Sequence, residues 1–124
     1  MDTERLKGKN ILITGAAQGM GATNAEHFAA QGANVCLGDL DLDLAQSVAD
    51  KISARGCGKA IAVKMDVTKR EDNASAVAAT VEAFGVINVG LFNAGVNKPR
   101  FFMDIDEENW DMIMNVNTKA MWLG

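Results

Sequence analysis

The stretch from Asn10 to Gly21 constrains the fold more than any other part of the chain. An apolar run, Asn-Ile-Leu-Ile-Thr, breaks into glycines, and an amphipathic segment follows. This order predicts a buried strand, a tight loop and a helix. The glycines let the backbone turn sharply and approach an anion at the start of the helix, where free N–H groups and the helix dipole favour negative charge. The predicted binding site for a dinucleotide pyrophosphate comprises Thr14, Gly15, Gln18, Gly19, Met20 and Gly21.

The same residues have a simpler interpretation, in which a glycine-rich turn joins a core strand to a helix and binds nothing. The spacing Gly15-x-x-x-Gly19-x-Gly21 also differs from the commoner Gly-x-Gly-x-x-Gly, so the general dinucleotide fingerprint fits only loosely. The glycine motif alone therefore does not establish a binding site, and further features of the chain are needed to support one.

Strands and helices alternate along the remaining sequence. After a polar leading segment over residues 1–9, apolar periodicity predicts strands at about 10–14, 34–38, 60–65 and 86–92, and helices at about 20–31, 42–55 and 69–84. Such alternation gives right-handed crossovers and a parallel sheet with helices on both faces. We predict a single α/β domain over residues 1–124, a Rossmann-like, partial doubly wound sheet with strand order 3-2-1-4.

The third helix carries two local patterns. Thr68, with Glu71 three residues on, is typical of a capping box and predicts Thr68 as the N-cap. The apolar face of this helix is predicted from residues at helical spacing, namely Ala74, Val77, Ala78, Val81 and Phe84.

Polar residues follow each of the other strands at its carboxyl end. Asp39 ends the second strand, where a carboxylate accepts hydrogen bonds from the adenosine ribose and repels a 2′-phosphate; this predicts NAD as the cofactor. The alternative is that Asp39 only begins a turn. Asp66 follows the third strand and could accept a bond from an exocyclic amine, and the segment Asn93–Gly95 follows the fourth. Because ligands bind at these strand ends in open α/β sheets, we expect these residues and the glycine loop to form one binding site.

Composition excludes several other classes of function. A net charge of −4 and scattered basic residues argue against a nucleic-acid partner. The sequence shows no apolar run near eighteen residues and no export leader, so we expect no membrane partner and a cytoplasmic location. Cys36 and Cys57 lack metal-ligand spacing and offer no disulfide framework, so no metal is expected. His27, on the polar face of the first helix, is assigned no chemistry.

The Thr14-Gly15-x-x-x-Gly19-x-Gly21 motif resembles the signature of the short-chain dehydrogenase/reductase family. The resemblance extends over Lys7 to Gly124 and matches the N-terminal half of such proteins. It implies that the glycine motif binds the cofactor, that Asp39 selects NAD, and that Asp66 with Val67 contacts adenine. It also implies that Asn93, Ala94 and Gly95 hold the sheet and line the cofactor ribose.

Two further positions are interpreted through this resemblance. Ala17 and Gln18 stand where NADP-using relatives commonly carry a basic residue, which agrees with Asp39. Asn117, in Asn115-Val116-Asn117, aligns with the catalytic asparagine, which in relatives helps hold a water in the proton relay. A polar helix position, or a buried asparagine bonded to backbone, is an equal alternative for Asn117.

The resemblance implies an oxidoreductase that interconverts an alcohol and a ketone by hydride transfer. The family's chemistry uses a serine and a Tyr-x-x-x-Lys pair, and these 124 residues contain no tyrosine. We therefore predict an NAD(H)-binding portion of such an enzyme, inactive by itself. The alternative is a non-catalytic dinucleotide-binding or protein-interaction module. A methyltransferase shares the glycine loop and acidic residue, but the Asn93–Gly95 and Asn115–Asn117 segments argue against it.

Self-association is predicted from two surfaces. In the order 3-2-1-4 the fourth strand forms a sheet edge with neither charge nor proline to protect it. The last helix has two apolar stripes, which must both be buried; they are Trp110, Ile113, Met114 and Met121, and Met112, Val116, Ala120 and Leu123. We expect a homo-oligomer formed through the last helix, the edge strand or both.

Overall fold

Four parallel strands form one sheet in the order β3-β2-β1-β4, which confirms the predicted topology. The structure is a computed structural model that describes residues 4–124; residues 1–3 of the predicted leading segment lie outside the described residues. The elements are β1 Asn10–Thr14, α1 Gly19–Ala30, β2 Asn34–Asp39, α2 Leu42–Arg55, β3 Ala60–Lys64, α3 Arg70–Phe84, β4 Val89–Leu91, α4 Glu107–Met114 and α5 Ala120–Leu123.

The first strand lies at the centre of the fold and is buried at every position. Its alternate side chains face two separate apolar layers. Ile11 and Ile13 pack with α1 and α2, whereas Leu12 packs with Cys36, Met65 and Ala76 on the α3 side. Each fully buried aliphatic side chain of this kind contributes about 1.5–3 kcal/mol. The site described below therefore lies at the end of the most completely buried strand of the sheet.

The second helix follows its sequence pattern closely. Its bounds, Leu42–Arg55, are those predicted. It begins at Asp41, whose side chain accepts a hydrogen bond from the Leu44 amide, and it ends at Gly56 in the left-handed conformation with φ of 71°. The buried face consists of Ala45, Val48, Ala49 and Ile52. The capping bond at Asp41 thus fixes the end of the short loop that follows Asp39.

The prediction of a capping box on α3 is wrong. The N-cap is Lys69, which makes no side-chain capping bond, and the Thr68 hydroxyl instead donates to Asp66 at 2.6 Å. The shorter reach to a carboxylate two residues away competes successfully with the helix amides for this hydroxyl.

The predicted apolar face of α3 is also wrong, except at Phe84, which is half-buried and packs against the cluster that contains Leu12. The helix buries Asn73, Ala76 and Thr80, whereas Val77 and Val81 are about two-fifths exposed. Asn73 and Thr80 can enter the interface because their side chains bond to nearby carbonyls, Thr80 to that of Ala76 at 2.7 Å. Small residues on that face let the helix pack closely against the sheet.

The fourth strand is shorter than the predicted 86–92. Only Val89–Leu91 pairs with β1. Just before Val89 the Asn88 backbone N–H still donates to the Asn10 carbonyl, but the Asn10 backbone N–H is bound by the Asn88 side chain. The Asn10 amide donates to Asn88 Oδ1 at 2.8 Å, and Asn10 Nδ2 donates to the carbonyls of Phe84 and Val86. Within the described residues, β4 pairs with no second strand and forms one edge of the sheet.

The last helical segment contains an irregular turn that the sequence pattern did not predict. A π-helical turn over Asn115–Lys119 separates α4 from α5. The stripe with Met112, Val116, Ala120 and Leu123 is buried or half-buried, while Trp110, Met114 and Met121 of the other stripe are exposed. The Arg70 guanidinium lies 5.4 Å from the centre of the Trp122 ring, so α5 contacts the start of α3. Among residues 4–124, no helix has both the length and the apolar character needed to span a membrane.

Candidate functional site

Glycine is required at the loop after β1 for two different reasons. Gly15 and Gly19 have φ values of +65° and +59°, which side chains rarely adopt. Gly21 has an ordinary φ, but a Cβ there would overlap the Gly15 carbonyl oxygen and lie 2.7 Å from Asn93 Nδ2. The start of α1 therefore lies directly against the loop, with its first amides directed to the carboxyl edge of the sheet.

The Asn93–Gly95 segment is bound to this loop through Thr14. The Thr14 hydroxyl accepts the backbone N–H groups of Asn93 and Ala94, both at 3.1 Å. In return, Asn93 Nδ2 donates to the carbonyls of Thr14 and Gly15 at 3.2 and 3.1 Å. These four bonds hold the ends of β1 and β4 against each other.

Asp39 lies at the end of β2 with its carboxylate already oriented. Oδ2 accepts the Ala17 N–H and Oδ1 accepts the Asp41 N–H, each at 3.0 Å. A carboxylate has about four lone-pair sites, so each oxygen can accept a further bond. The turn interpretation and the binding interpretation of Asp39 are therefore compatible.

Asp66 follows β3 in a turn that is held by several side chains. Its Oδ1 accepts from both the backbone N–H and the hydroxyl of Thr68. The hydroxyl bond is the main reason that the pKa of Asp66 lies below its usual value. Two residues of α3, Asp72 and Asn73, bond to the backbone of the same turn. The carboxylate thus stays ionised and is held beside the sheet edge.

These groups line one cavity of about 490 Å³ at the carboxyl edge of the sheet. Nine of the predicted site residues contribute to its wall: Gly15, Gln18, Met20, Asp39, Asp66, Val67, Asn93, Ala94 and Gly95. Thr14 and Gly21 lie behind the wall and hold it, and Gly19 lies at the adjoining exposed start of α1. The wall also contains four apolar residues that no chemical motif in the sequence marks, namely Leu40, Met65, Val96 and Val116.

Asn117 lies outside that wall, on the π-helical turn. Its Oδ1 accepts the Val96 N–H and its Nδ2 donates to the Val96 carbonyl, both at 2.8 Å. The side chain therefore holds the backbone that follows Gly95, which agrees with an asparagine bonded to backbone, although Asn117 is exposed rather than buried. A part for Asn117 in a proton relay stays a prediction.

Both cysteines carry free thiols. Cys36 is fully buried in β2, and burial raises the pKa of its thiol, so it stays protonated near neutral pH; Cys57 is exposed on a distant loop. Residues 4–124 bring together no group of three or more His, Cys, Asp or Glu side chains that could hold a metal ion. The chemistry of this cavity is therefore that of backbone amides, two carboxylates and apolar walls.

A parallel sheet with a glycine loop, an acidic residue after β2 and a polar segment after β4 is typical of dinucleotide-binding α/β folds. The family model described as short chain dehydrogenase matches residues 9–124. The chain belongs to the short-chain dehydrogenase family, whose members use nicotinamide dinucleotides.

Among curated relatives, a 2,5-dichloro-2,5-cyclohexadiene-1,4-diol dehydrogenase of Sphingobium indicum is 42% identical over 97% of this chain and 48% of its own length. A trans-4-hydroxycyclohexanecarboxylate dehydrogenase of Sinomonas cyclohexanicum is 39% identical over 98% of this chain and 49% of its own length. The chain thus spans about half the length of the curated relatives it matches.

Solved structures agree with this assignment. A short chain dehydrogenase from Mycobacterium smegmatis superposes with a TM-score of 0.93 at 32% identity, covering 97% of this chain and 50% of that one. A 3-ketoacyl-(acyl-carrier-protein) reductase from Brucella melitensis, complexed with NADH, gives 0.88 at 37% identity, covering 95% and 48%. The sheet described above is therefore the arrangement found in solved dehydrogenases of this family.

Proposed function

We propose that this chain is the NAD(H)-binding portion of an oxidoreductase that interconverts an alcohol and a ketone. The observation that carries the proposal is the single cavity that the glycine loop, Asp39, Asp66 and Asn93–Gly95 line together. Family membership supports the reaction class, and the two curated relatives described above are named as dehydrogenases of a diol and of a hydroxycarboxylate. When bound, the dinucleotide supplies or accepts the hydride.

The residues of the cavity fit the parts of a dinucleotide. A pyrophosphate would be bound at the start of α1. The missing Cβ of Gly21 lets the helix lie directly against the loop, and the open space at Gly19 leaves the first helix amides accessible to an anion. Asp39 and Asp66 would bind the adenosine half, and Asn93–Gly95 would line the ribose of the other half. The hydrogen bonds between Thr14 and Asn93 would hold the glycine loop and the Asn93–Gly95 segment at a fixed separation.

Charge supports NAD over NADP. The Asp39 carboxylate is fixed by two amides, where it can accept ribose hydroxyls and repel a 2′-phosphate. Asp41 and Asp43 follow it closely and add to the negative potential, and residues 15–21 contain no lysine or arginine. One cation, Lys64, lies beside Asp39 in the sheet register, and three carboxylates outnumber it.

Titration calorimetry with NAD⁺ and NADP⁺ tests the proposal. We expect the chain to bind NAD⁺ more tightly, and Asp39→Ser to reduce that preference by about tenfold or more, the size expected for hydrogen bonds to a charged group. Asp43→Ser removes the same charge from an exposed position in the first turn of α2 and should change the preference much less. Equal or tighter binding of NADP⁺ by the unaltered chain would overturn the choice of NAD.

Catalysis by these 124 residues alone is not expected. The chain has no tyrosine to act as the general acid, and Asn117 is engaged with Val96. Hydride exchange between NAD(H) and any alcohol or ketone would exclude the alternative of a non-catalytic binding module. Its absence together with NAD binding would agree with an NAD(H)-binding portion and equally with the non-catalytic binding module.

A further inference from the structure

Two side chains in the first turn of α3 form hydrogen bonds with the segment that precedes the helix. Asp72 Oδ2 accepts the backbone N–H of Asp66 at 2.8 Å, six residues back and before the N-cap Lys69. Asn73, which is 5% exposed, donates from Nδ2 to the carbonyls of Val67 and Lys69 at 3.0 and 2.8 Å. Both side chains therefore bind the turn that connects β3 to the helix.

This turn forms part of the cavity wall, on the side of Asp39 and Leu40. Asp66 and Val67 belong to the wall, whereas Asp72 and Asn73 do not. The conformation of the Asp66 backbone decides where its carboxylate points, and Thr68 then fixes one carboxylate oxygen by two further bonds. No hydrogen bond to the other oxygen, Oδ2, is found among the described residues.

We propose that Asp72 is a positioning residue for purine recognition, which holds the Asp66 backbone so that the Asp66 carboxylate faces the 6-amino group of adenine. This inference rests on the proposed function. Its physical basis is the bond from the Asp66 amide to a charged acceptor, which is stronger than one between neutral groups. Asn73 holds the next residue, Val67, and thereby keeps the wall continuous.

Asp72 differs in this respect from its neighbour Glu71. Both are acidic residues in the first turn of α3, where negative charge is favourable to the helix dipole. Glu71 is exposed and makes no hydrogen bond to the turn. A general effect of charge at the helix N-terminus should therefore be shared by the two residues, while an effect on Asp66 should be specific to Asp72.

The experiment compares NADH with its deamino analogue, in which hypoxanthine replaces adenine and the 6-amino group is absent. Binding of both to the chain is measured by calorimetry for the unaltered protein and for Asp72→Ala, Asp72→Asn and Glu71→Ala. Helix content by circular dichroism accompanies each variant. The measured quantity is the ratio of the two affinities, which a general loss of stability would leave unchanged.

We expect the unaltered chain to prefer NADH, and Asp72→Ala to reduce this preference by about threefold to tenfold, as for the loss of one hydrogen bond. Asp72→Asn keeps an acceptor oxygen and should restore most of the preference, and Glu71→Ala should leave it unaltered. Equal weakening of both ligands by Asp72→Ala, or an unaltered ratio, would refute the inference. If the unaltered chain binds NADH without preferring it, purine recognition by Asp66 fails while the proposed function stands; if it binds no NADH, both fail.

Discussion

At the residue scale, the glycines of the loop are not equivalent. Gly19 needs glycine for its positive φ but has open space around its Cβ position, whereas Gly21 needs glycine because backbone atoms of Gly15 and Ala16 fill that position. Backbone cannot move aside as a flexible side chain can. The close approach of helix to loop at Gly21 is therefore the more costly feature to disturb.

We predict that Gly21→Ala destabilises the chain by about 3 kcal/mol through overpacking, and that Gly19→Ala costs about 1 kcal/mol through its positive φ. Urea unfolding of the two variants measures the difference. Because the displaced loop also carries the proposed pyrophosphate site, Gly21→Ala should weaken NADH binding more than Gly19→Ala does. A Gly21→Ala variant as stable as Gly19→Ala would show that α1 can shift without loss of packing.

At the scale of the elements, α3 distinguishes an apolar pattern from a buried face. The sequence predicts burial of Ala78, but the structure buries Ala76, which is 1% exposed. Ala76→Leu should therefore cost about 1–3 kcal/mol through overpacking, whereas Ala78→Leu on the exposed side should change stability by about 0.5 kcal/mol or less. Thermal unfolding of both variants checks the prediction. A larger loss from Ala78→Leu would favour the face that the sequence predicted.

A comparison of the elements shows which structural features this sequence predicts and which it does not. Strong periodicity and clear caps predict the strand order and the bounds of β1 and α2. The structure confirms all three predictions. The buried face of α3 could not be predicted, because apolar residues occur on both faces and the buried one includes Asn73 and Thr80. The shortening of β4 depends on hydrogen bonds between Asn10 and Asn88, which are far apart in the chain.

In the candidate site, too, some residues can be predicted from the sequence and others cannot. The sequence predicts residues that have a recognisable chemical pattern, such as Asp39 and Asn93, and nine of the predicted residues line the cavity. Apolar wall residues such as Leu40 and Val116 are not predicted, because a leucine or valine in a wall has the same sequence pattern as one in the core. The π-helical turn that places Val116 there has no residue signature of its own.

At the scale of the whole molecule, several large apolar side chains of α4, α5 and β4 are exposed. Trp110, Met121 and Trp122 are 58%, 53% and 72% exposed, and Val89 on the edge strand β4 is 40% exposed. Monomeric proteins rarely expose contiguous apolar patches larger than a few hundred Å². An unpaired strand edge adds free N–H and C=O groups that can join another chain.

We therefore predict that the chain self-associates at micromolar concentration through the α4–α5 segment, the β4 edge or both, and sedimentation velocity measures this directly. Replacing Trp110 and Met121 by lysine should shift the protein toward monomer, because two charges would have to be buried at the contact. The matched control places two lysines at Ser53 and Ala54, which are exposed on α2 away from both surfaces. If the helix variant still associates, hydrogen exchange at Val89–Leu91 decides whether the edge strand is responsible, since pairing protects those amides. A monomeric unaltered chain would show that neither surface makes a stable contact between copies.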